Sequence, residues 1–285
     1  MLIVRAPVRI SFGGGGTDLE AYYGRYGGLV LSTAINRYCY AIITQGEPEG
    51  VQISSADMRL FNMRRASLSG AAESSLEPPV GQNDVLQLPW AVLRRFGVRR
   101  GLNIFLASEV PPGTGLGSSS AMAVALVKAL AALGEEPFSR SQIAEIASGI
   151  EIGDLGAPIG RQDQYASTFG GLNMIHFRAP RAGGVSVEPL PLARERVQQL
   201  ERHLLLFFTG TARNSAIILR AQQAATMDGQ QTVIAALNAI KVLALEMHSC
   251  LLLDDLPGFG ALLDQGWQHK KQLAGGITTA AIDAA

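Results

Sequence analysis

Pro111-Pro-Gly-Thr-Gly-Leu-Gly-Ser-Ser-Ser-Ala121, followed without a break by the small and apolar run Met122 to Leu133, decides the fold of this chain. Gly113, Gly115 and Gly117 open backbone conformations that a Cβ forbids. Successive N–H groups can then turn toward one anion, and a helix starting near Ser118 adds the positive end of its dipole. The stretch reads as a phosphate cradle at the mouth of a helix, its candidate residues being Pro112, Gly113, Thr114, Gly115, Leu116, Gly117, Ser118, Ser119 and Ser120. A polyphosphate is the natural ligand. Two commoner nucleotide loops are excluded, because the next lysine is Lys128 and position 118 is Ser where a dinucleotide loop needs its third glycine. The same residues also fit a strand-to-helix turn capped by Ser, so other segments must decide.

Two segments do. Through Arg5-Ala-Pro-Val-Arg-Ile-Ser-Phe-Gly-Gly-Gly-Gly-Thr-Asp18 and the residues just before it, apolar Leu2, Val4, Val8, Ile10 and Phe12 alternate with Arg5, Arg9 and Ser11, the pattern of a half-buried strand entering a glycine turn. In Glu151-Ile-Gly-Asp-Leu-Gly-Ala-Pro-Ile-Gly-Arg-Gln-Asp163, a helix ends in a loop broken by glycines and Pro158, and a carboxylate stands at each end.

Composition narrows the class. The sequence has 285 residues, 47% of them hydrophobic, enough for two modest cores, and its 24 basic and 24 acidic residues create no field for nucleic acid or an anionic membrane. Neither partner is expected. Cys39 and Cys250 lack metal or redox spacing, which indicates a reducing compartment, and the first residues, with Arg5, Pro7 and Arg9, are not a signal peptide. A cytoplasmic location follows, with no apolar run of membrane-span length expected.

Strands are predicted at 2–12, 29–44, 51–54, 101–107, 171–177 and 204–208, and helices at 84–96, 119–133, 140–152, 213–226, 231–252 and 257–273. Ser139 and Gln142 form a capping box for the 140–152 helix. The Ser/Ala/Glu/Pro-rich stretch 67–79 reads as a surface loop, and the whole as α+β. Arg178-Ala-Pro-Arg-Ala-Gly-Gly184 marks a turn or linker, dividing the chain into domains 1–180 and 181–285.

The three motif segments, in this order, resemble the GHMP kinases. Within that family the phrases Gly28–Tyr40, Gly160–Ala166 with Phe169-Gly-Gly171, and Thr209–Arg213 through Ile218-Leu219 are similar to the sugar-1-kinase branch whose acceptor is a heptose 7-phosphate. The resemblance implies a ribosomal protein S5-like first domain and a ferredoxin-like second one. It also implies ATP and Mg²⁺ as cofactors, a sugar phosphate as small-molecule partner, a homodimer as an assembly to consider, and a place in nucleotide-activated heptose synthesis. Galactose and fucose kinases, and a binding protein that has lost catalysis, are the other readings. The resemblance departs at the end: relatives carry a further glycine-rich stretch, whereas this sequence stops at Ala285, so the second domain is expected to be incomplete. Val242, Leu243, Leu245, Leu262 and Leu263 are then expected to be exposed.

The resemblance also assigns roles. Ser119 and Glu151 would hold the magnesium, hard oxygen donors suiting an ion that keeps several waters. Asp163 would be the base or orienting group for the acceptor hydroxyl, with Arg9 keeping it ionised and neutralising charge on the transferring phosphoryl. Asp18, with Gly15, Gly16 and Thr17, would bind the sugar, and Arg37, Arg161 or Arg213 could take a phosphate already on it. Each has a plainer alternative: a helix-end Glu151, a water-facing Arg9, an N-capping Asp18, surface arginines. The four histidines lack ligand spacing.

Overall fold

The computed structural model describes residues 1–48, 50–56, 64–65, 86–98, 101–208 and 215–283. In chain order its elements are β1 (Leu2–Gly13), α1 (Glu20–Tyr26), β2 (Gly28–Gln45), β3 (Val51–Ser55), β4 (Arg64–Arg65), α2 (Gln87–Arg95), β5 (Leu102–Ser108), α3 (Ser118–Leu133) and α4 (Arg140–Ser148), the last continued by a π-helical turn (Gly149–Asp154). Then come α5 (Gln162–Phe169), β6 (Leu172–Phe177), a 3₁₀ turn (Pro180–Ala182), β7 (Val185–Pro189), α6 (Arg194–His203), α7 (Ser215–Met227), α8 (Gln231–Leu253), α9 (Leu256–Lys270) and α10 (Ala280–Asp283). The α+β expectation holds. The predicted loop at 67–79 and Arg213 lie outside the described residues.

Two compact units emerge, one of Met1–Val8 with Asn36–Ala157, the other of Arg9–Ile35 with Pro158–Ala285. Their division falls inside β1 and β2, so each unit takes part of both strands. Arg178–Gly184 lies within the second unit as the turn joining β6 to β7, closed by the Arg178 N–H donating to the Gly184 carbonyl at 3.0 Å.

In the first unit the end of β2 pairs antiparallel with β5, from Cys39 opposite Ser108 to Gln45 opposite Leu102, and β5 pairs parallel with β3. A parallel neighbour needs a crossover, and α2 lies on it. Helix α3 is buried on nearly every side, from Ser120 to Val127 and again at Ala129 to Ala131, which explains why its sequence shows no polar face. Helix α4 begins with the expected capping box: Gln142 N–H donates to Ser139 Oγ at 3.2 Å and Ser139 N–H to Gln142 Oε1 at 2.8 Å. The predicted helix 140–152 is therefore α4 plus a π turn.

In the second unit the start of β2 pairs antiparallel with β6, from Gly28 opposite Phe177 to Thr33 opposite Leu172, and β6 with β7. Phe12, Leu29, Leu31 and Met174 pack against Leu243, Met247, Leu251 and Phe259 from α8 and α9, with Phe12 and Phe259 edge to face at 5.3 Å. Beside it, Tyr22 joins Val233, Leu237, Ile240, Leu273 and Ile277. Three expectations are corrected here. Residues 204–208 are not a strand: they lack regular structure, and Leu205, Leu206, Phe207 and Phe208 are exposed. Helix α8 is long and apolar enough to cross a membrane by length and composition, contrary to the expectation for apolar runs: one face packs in the core of this unit, and Val242, Leu245, Leu252 and Leu253 add apolar residues on the exposed side. Of the residues expected to be exposed, Val242 and Leu245 are, but Leu243 is buried and Leu262 and Leu263 pack partly against the core.

The glycine turn after β1 is demanded by geometry. Gly14 has φ +84°, and a Cβ there would stand 1.8 Å from the Leu29 carbonyl oxygen. Thr17 braces the same turn: its hydroxyl lies 2.7 Å from Gly14 O and accepts the Leu29 N–H at 3.0 Å. Gly14→Ala should therefore cost about 3 kcal/mol or more, read as a fall in the urea midpoint; an unchanged midpoint would mean that the turn relaxes freely.

Candidate active site

In the first unit, Gly113, Gly115 and Gly117 adopt φ of 76°, 76° and 75°, the left-handed region in which only glycine sits without strain. Gly117 is itself the N-cap of α3, and no side chain caps the helix, which corrects the Ser-cap alternative. With glycine at the N-cap, no N-cap side chain competes with an anion for the first turn of α3. Next to the loop is a cavity of about 300 Å³ with an apolar wall that includes Leu86, Pro89, Leu106 and Met122, and polar Ser108, Ser118 and Ser119 at its side.

Ser119 donates its hydroxyl proton to Glu151 Oε1 at 2.8 Å. Glu151 is 3% exposed, so it is not an ordinary solvated helix-end glutamate. The π turn carries it: widening the helix by one residue per turn re-aims the side chains that follow, and such turns recur at functional sites. A hydroxyl and a buried carboxylate in contact are a donor set that fits magnesium, which takes few protein oxygens and keeps waters or phosphate oxygens for the rest.

In the second unit β1 loses its alternation. Val4, Ala6 and Val8 are buried and Ile3 and Arg5 exposed, but Arg9 is buried too. Its Nε donates to Asp163 Oδ1 at 2.8 Å and its Nη2 stands 2.6 Å from the same oxygen. The water-facing alternative for Arg9 is thereby corrected. Asp163, in the first turn of α5, keeps 19% of its side chain exposed. Its pKa is raised above the usual carboxylate range, because burial outweighs the opposing Arg9 charge and Asp18 adds repulsion.

Asp18 is buried and anchored: Oδ1 accepts from Gly16 N–H at 2.9 Å and Gln162 Nε2 at 3.1 Å, and Oδ2 accepts from Gln162 N–H at 3.2 Å. It does not cap α1, whose N-cap is Leu19. Gly160 lies against it so closely that a Cβ would meet Oδ2 at 1.8 Å. Gly16, at φ +103°, packs on Gln222. Gly15, Gly16 and Asp18 are thus together; Thr17 is fully buried, its side chain spent on the turn, and Arg37 belongs to the first unit, exposed and bonded to its neighbour's Asn36 carbonyl. Arg161 holds the Asp18 carbonyl through its N–H at 3.3 Å.

Sequence reasoning missed three members of this cluster. Gln162 was visible beside Asp163, but amides carry no catalytic signal. Ser11 sits at an unremarkable strand position. Lys270, the last residue of α9, donates to the Gly15 carbonyl at 2.8 Å, and nothing local in the sequence marks it. Burial pushes its ammonium pKa down; the Asp18 charge opposes that and the Arg9 charge adds to it.

The chain is similar to known proteins along most of its length. Residues 83–171 match the GHMP kinases N terminal domain. The chain is 30% identical over 272 residues to D-glycero-alpha-D-manno-heptose 7-phosphate kinase of Campylobacter jejuni, covering 94% of this chain and 76% of that protein. Its fold is similar to that of a D-glycero-D-manno-heptose 1-phosphate kinase from Bacteroides thetaiotaomicron, at TM-score 0.77 and 29% identity, covering 97% of this chain and 81% of that one. The galactokinase of Lactococcus lactis shares the fold at TM-score 0.68 and 17% identity, covering 99% and 78%. With left-handed glycines at the mouth of α3 and a relative aligned along nearly its whole length, this chain belongs to the GHMP kinase family, enzymes that transfer a phosphoryl group from ATP to an alcohol.

Proposed function

We propose that this kinase phosphorylates the anomeric hydroxyl of D-glycero-D-manno-heptose 7-phosphate, giving a 1,7-bisphosphate for nucleotide-activated heptose synthesis in the cytoplasm. The observation that carries the chemistry is the Arg9–Asp163 pair. Both Arg9 nitrogens hold Oδ1, and Oδ2 has no partner among the described residues. Oδ2 is then the atom that accepts the acceptor's hydroxyl proton, and a raised pKa makes it a stronger base than a solvated carboxylate. In phosphoryl transfer the protein contributes mainly position and charge, so Arg9 also offsets the negative charge of the phosphoryl group.

Main-chain N–H groups of 113–120 bind the polyphosphate, the apolar cavity beside them takes the adenine, and Ser119 with Glu151 would hold Mg²⁺. When bound, that ion supplies neutralisation of phosphate charge. Asp18, Gly15 and Gly16 shape the acceptor side, and the acceptor's own phosphate goes to an arginine, Arg161 or Arg213 being the candidates. The identity of the acceptor is supported by the Campylobacter relative, while the Bacteroides protein's name puts the phosphate on the other end of the same sugar.

An ADP-release assay tests this with heptose 7-phosphate, heptose 1-phosphate, galactose and fucose. The 7-phosphate should give the highest kcat/KM, by about tenfold or more over any other acceptor. Faster turnover of the 1-phosphate or of a free hexose overturns the assignment.

A further inference from the structure

The four glycines after β1 are not equivalent. Gly14 and Gly16 have positive φ and would clash if given a Cβ, and a Cβ on Gly13 would stand 2.9 Å from Met247 Sδ and 3.1 Å from Ala244 Cα. Gly15 is less constrained: its φ lies outside the left-handed region, and a Cβ would press only on a side-chain terminus, Ser11 Oγ at 3.3 Å, with Gln162 Nε2 and Lys270 Nζ each at 3.8 Å. The backbone therefore admits alanine here once the Ser11 hydroxyl gives by a few tenths of an ångström. Three polar side chains converge on the place that a side chain at position 15 would occupy.

Two of those side chains have unspent capacity. Ser11 Oγ and Gln162 Oε1 are buried and have no hydrogen-bond partner among the described residues, although leaving a buried polar atom unpaired is costly. Lys270 uses one of its three protons on the Gly15 carbonyl. An alkyl-ammonium donor, an amide oxygen acceptor and a hydroxyl that can do either are the complement of a hydroxyl group on a polyol. They are a poor match to a phosphate, because Asp18 stands on the same Gln162 amide and would repel a dianion.

We infer that Ser11, Gln162 and Lys270 form a hydroxyl-binding cradle around Gly15, which selects the acceptor by one of its hydroxyls other than the one phosphorylated. The inference deepens the proposed sugar-kinase reading and rests on it for the acceptor. Lys270 thus becomes a specificity residue supplied by α9, and the glycine at position 15 is kept for the ligand rather than for the fold.

Two variants test it, Gly15→Ala, which fills the space, and Lys270→Met, which removes the donor at similar length. Each should raise the acceptor KM about tenfold or more and leave the ATP KM within twofold. Gly15→Ala should keep the wild-type Tm, which separates a filled site from a damaged fold. Lys270→Met should weaken a heptose and its 7-phosphate by the same factor. An unchanged acceptor KM in Gly15→Ala overturns the cradle, as does a Lys270→Met loss confined to the phosphorylated sugar, which would make Lys270 a phosphate ligand. Should wild type release ADP with no heptose phosphate, the acceptor assignment fails on its own, and thermal shift with heptose 7-phosphate, heptose, galactose and fucose reads the cradle directly. A wild-type shift lost in Gly15→Ala supports it; no wild-type shift with any of the four overturns it.

Discussion

Asp163→Asn should lower kcat by about 10²–10⁴-fold while ATP affinity stays within a few-fold. Asparagine keeps the shape of the side chain and an oxygen for Arg9, but it cannot take a proton. The loss falls on chemistry because Asp163 and Arg9 lie in the second unit, whereas the glycine loop and its helix lie in the first. Wild-type kcat/KM should rise with pH through the Asp163 pKa, at a pH above the usual carboxylate value of about 4, since burial favours the neutral acid and only the ionised form is a base. That acidic limb should be absent from the residual activity of Asp163→Asn. The variant leaves Arg9 without its carboxylate partner, so rates are to be compared per folded enzyme, checked by circular dichroism. Near wild-type turnover, or an acidic limb that survives the substitution, would show that Asp163 is not the base.

Ser119→Ala combined with Glu151→Gln should raise the magnesium concentration for half-maximal rate about tenfold or more, and weaken ATP binding only when magnesium is present. The physical reason is the 2.8 Å contact between a hydroxyl and a carboxylate that is 3% exposed, which puts two hard donors at one point of the first unit. Gln keeps the length and hydrogen-bonding capacity of Glu while removing the charge that attracts a cation. Calorimetry with ATP, with and without chelator, makes the comparison. A magnesium titration that superimposes on wild type places the metal elsewhere; equal weakening with and without magnesium points to a damaged loop instead.

Periodicity found most of the fold, and its failures have physical causes. Helix α6, Arg194–His203, carries no apolar stripe because only Leu200 is buried, so no hydrophobic period announces it. Helix α5 has eight residues behind a glycine- and proline-broken loop, too short to set a period of its own. Leu204 to Phe208 reads as a strand, yet Leu204 packs partly against the core, Leu205 to Phe208 are exposed, and the segment pairs with no strand among the described residues, because a strand exists only through the partner beside it.

What the sequence by itself determined is whatever one residue's own chemistry controls. Glycine alone reaches φ near 75° without strain, so Gly113, Gly115 and Gly117 were legible as a cradle, and Ser139 with Gln142 reciprocally cap a helix three residues away. Resemblance nominated Arg9, Asp163, Ser119 and Glu151, but residue types alone could not say whether Arg9 meets water or Asp163. The tertiary structure decided that, bringing together residues 154 apart in the chain, and it decided the Asp163 pKa, which depends on burial that no local pattern reports. Lys270 and Gly15 are 255 residues apart, joined by packing of α9 on the β1 core, a contact set by the summed burial of many apolar side chains rather than by any motif of their own.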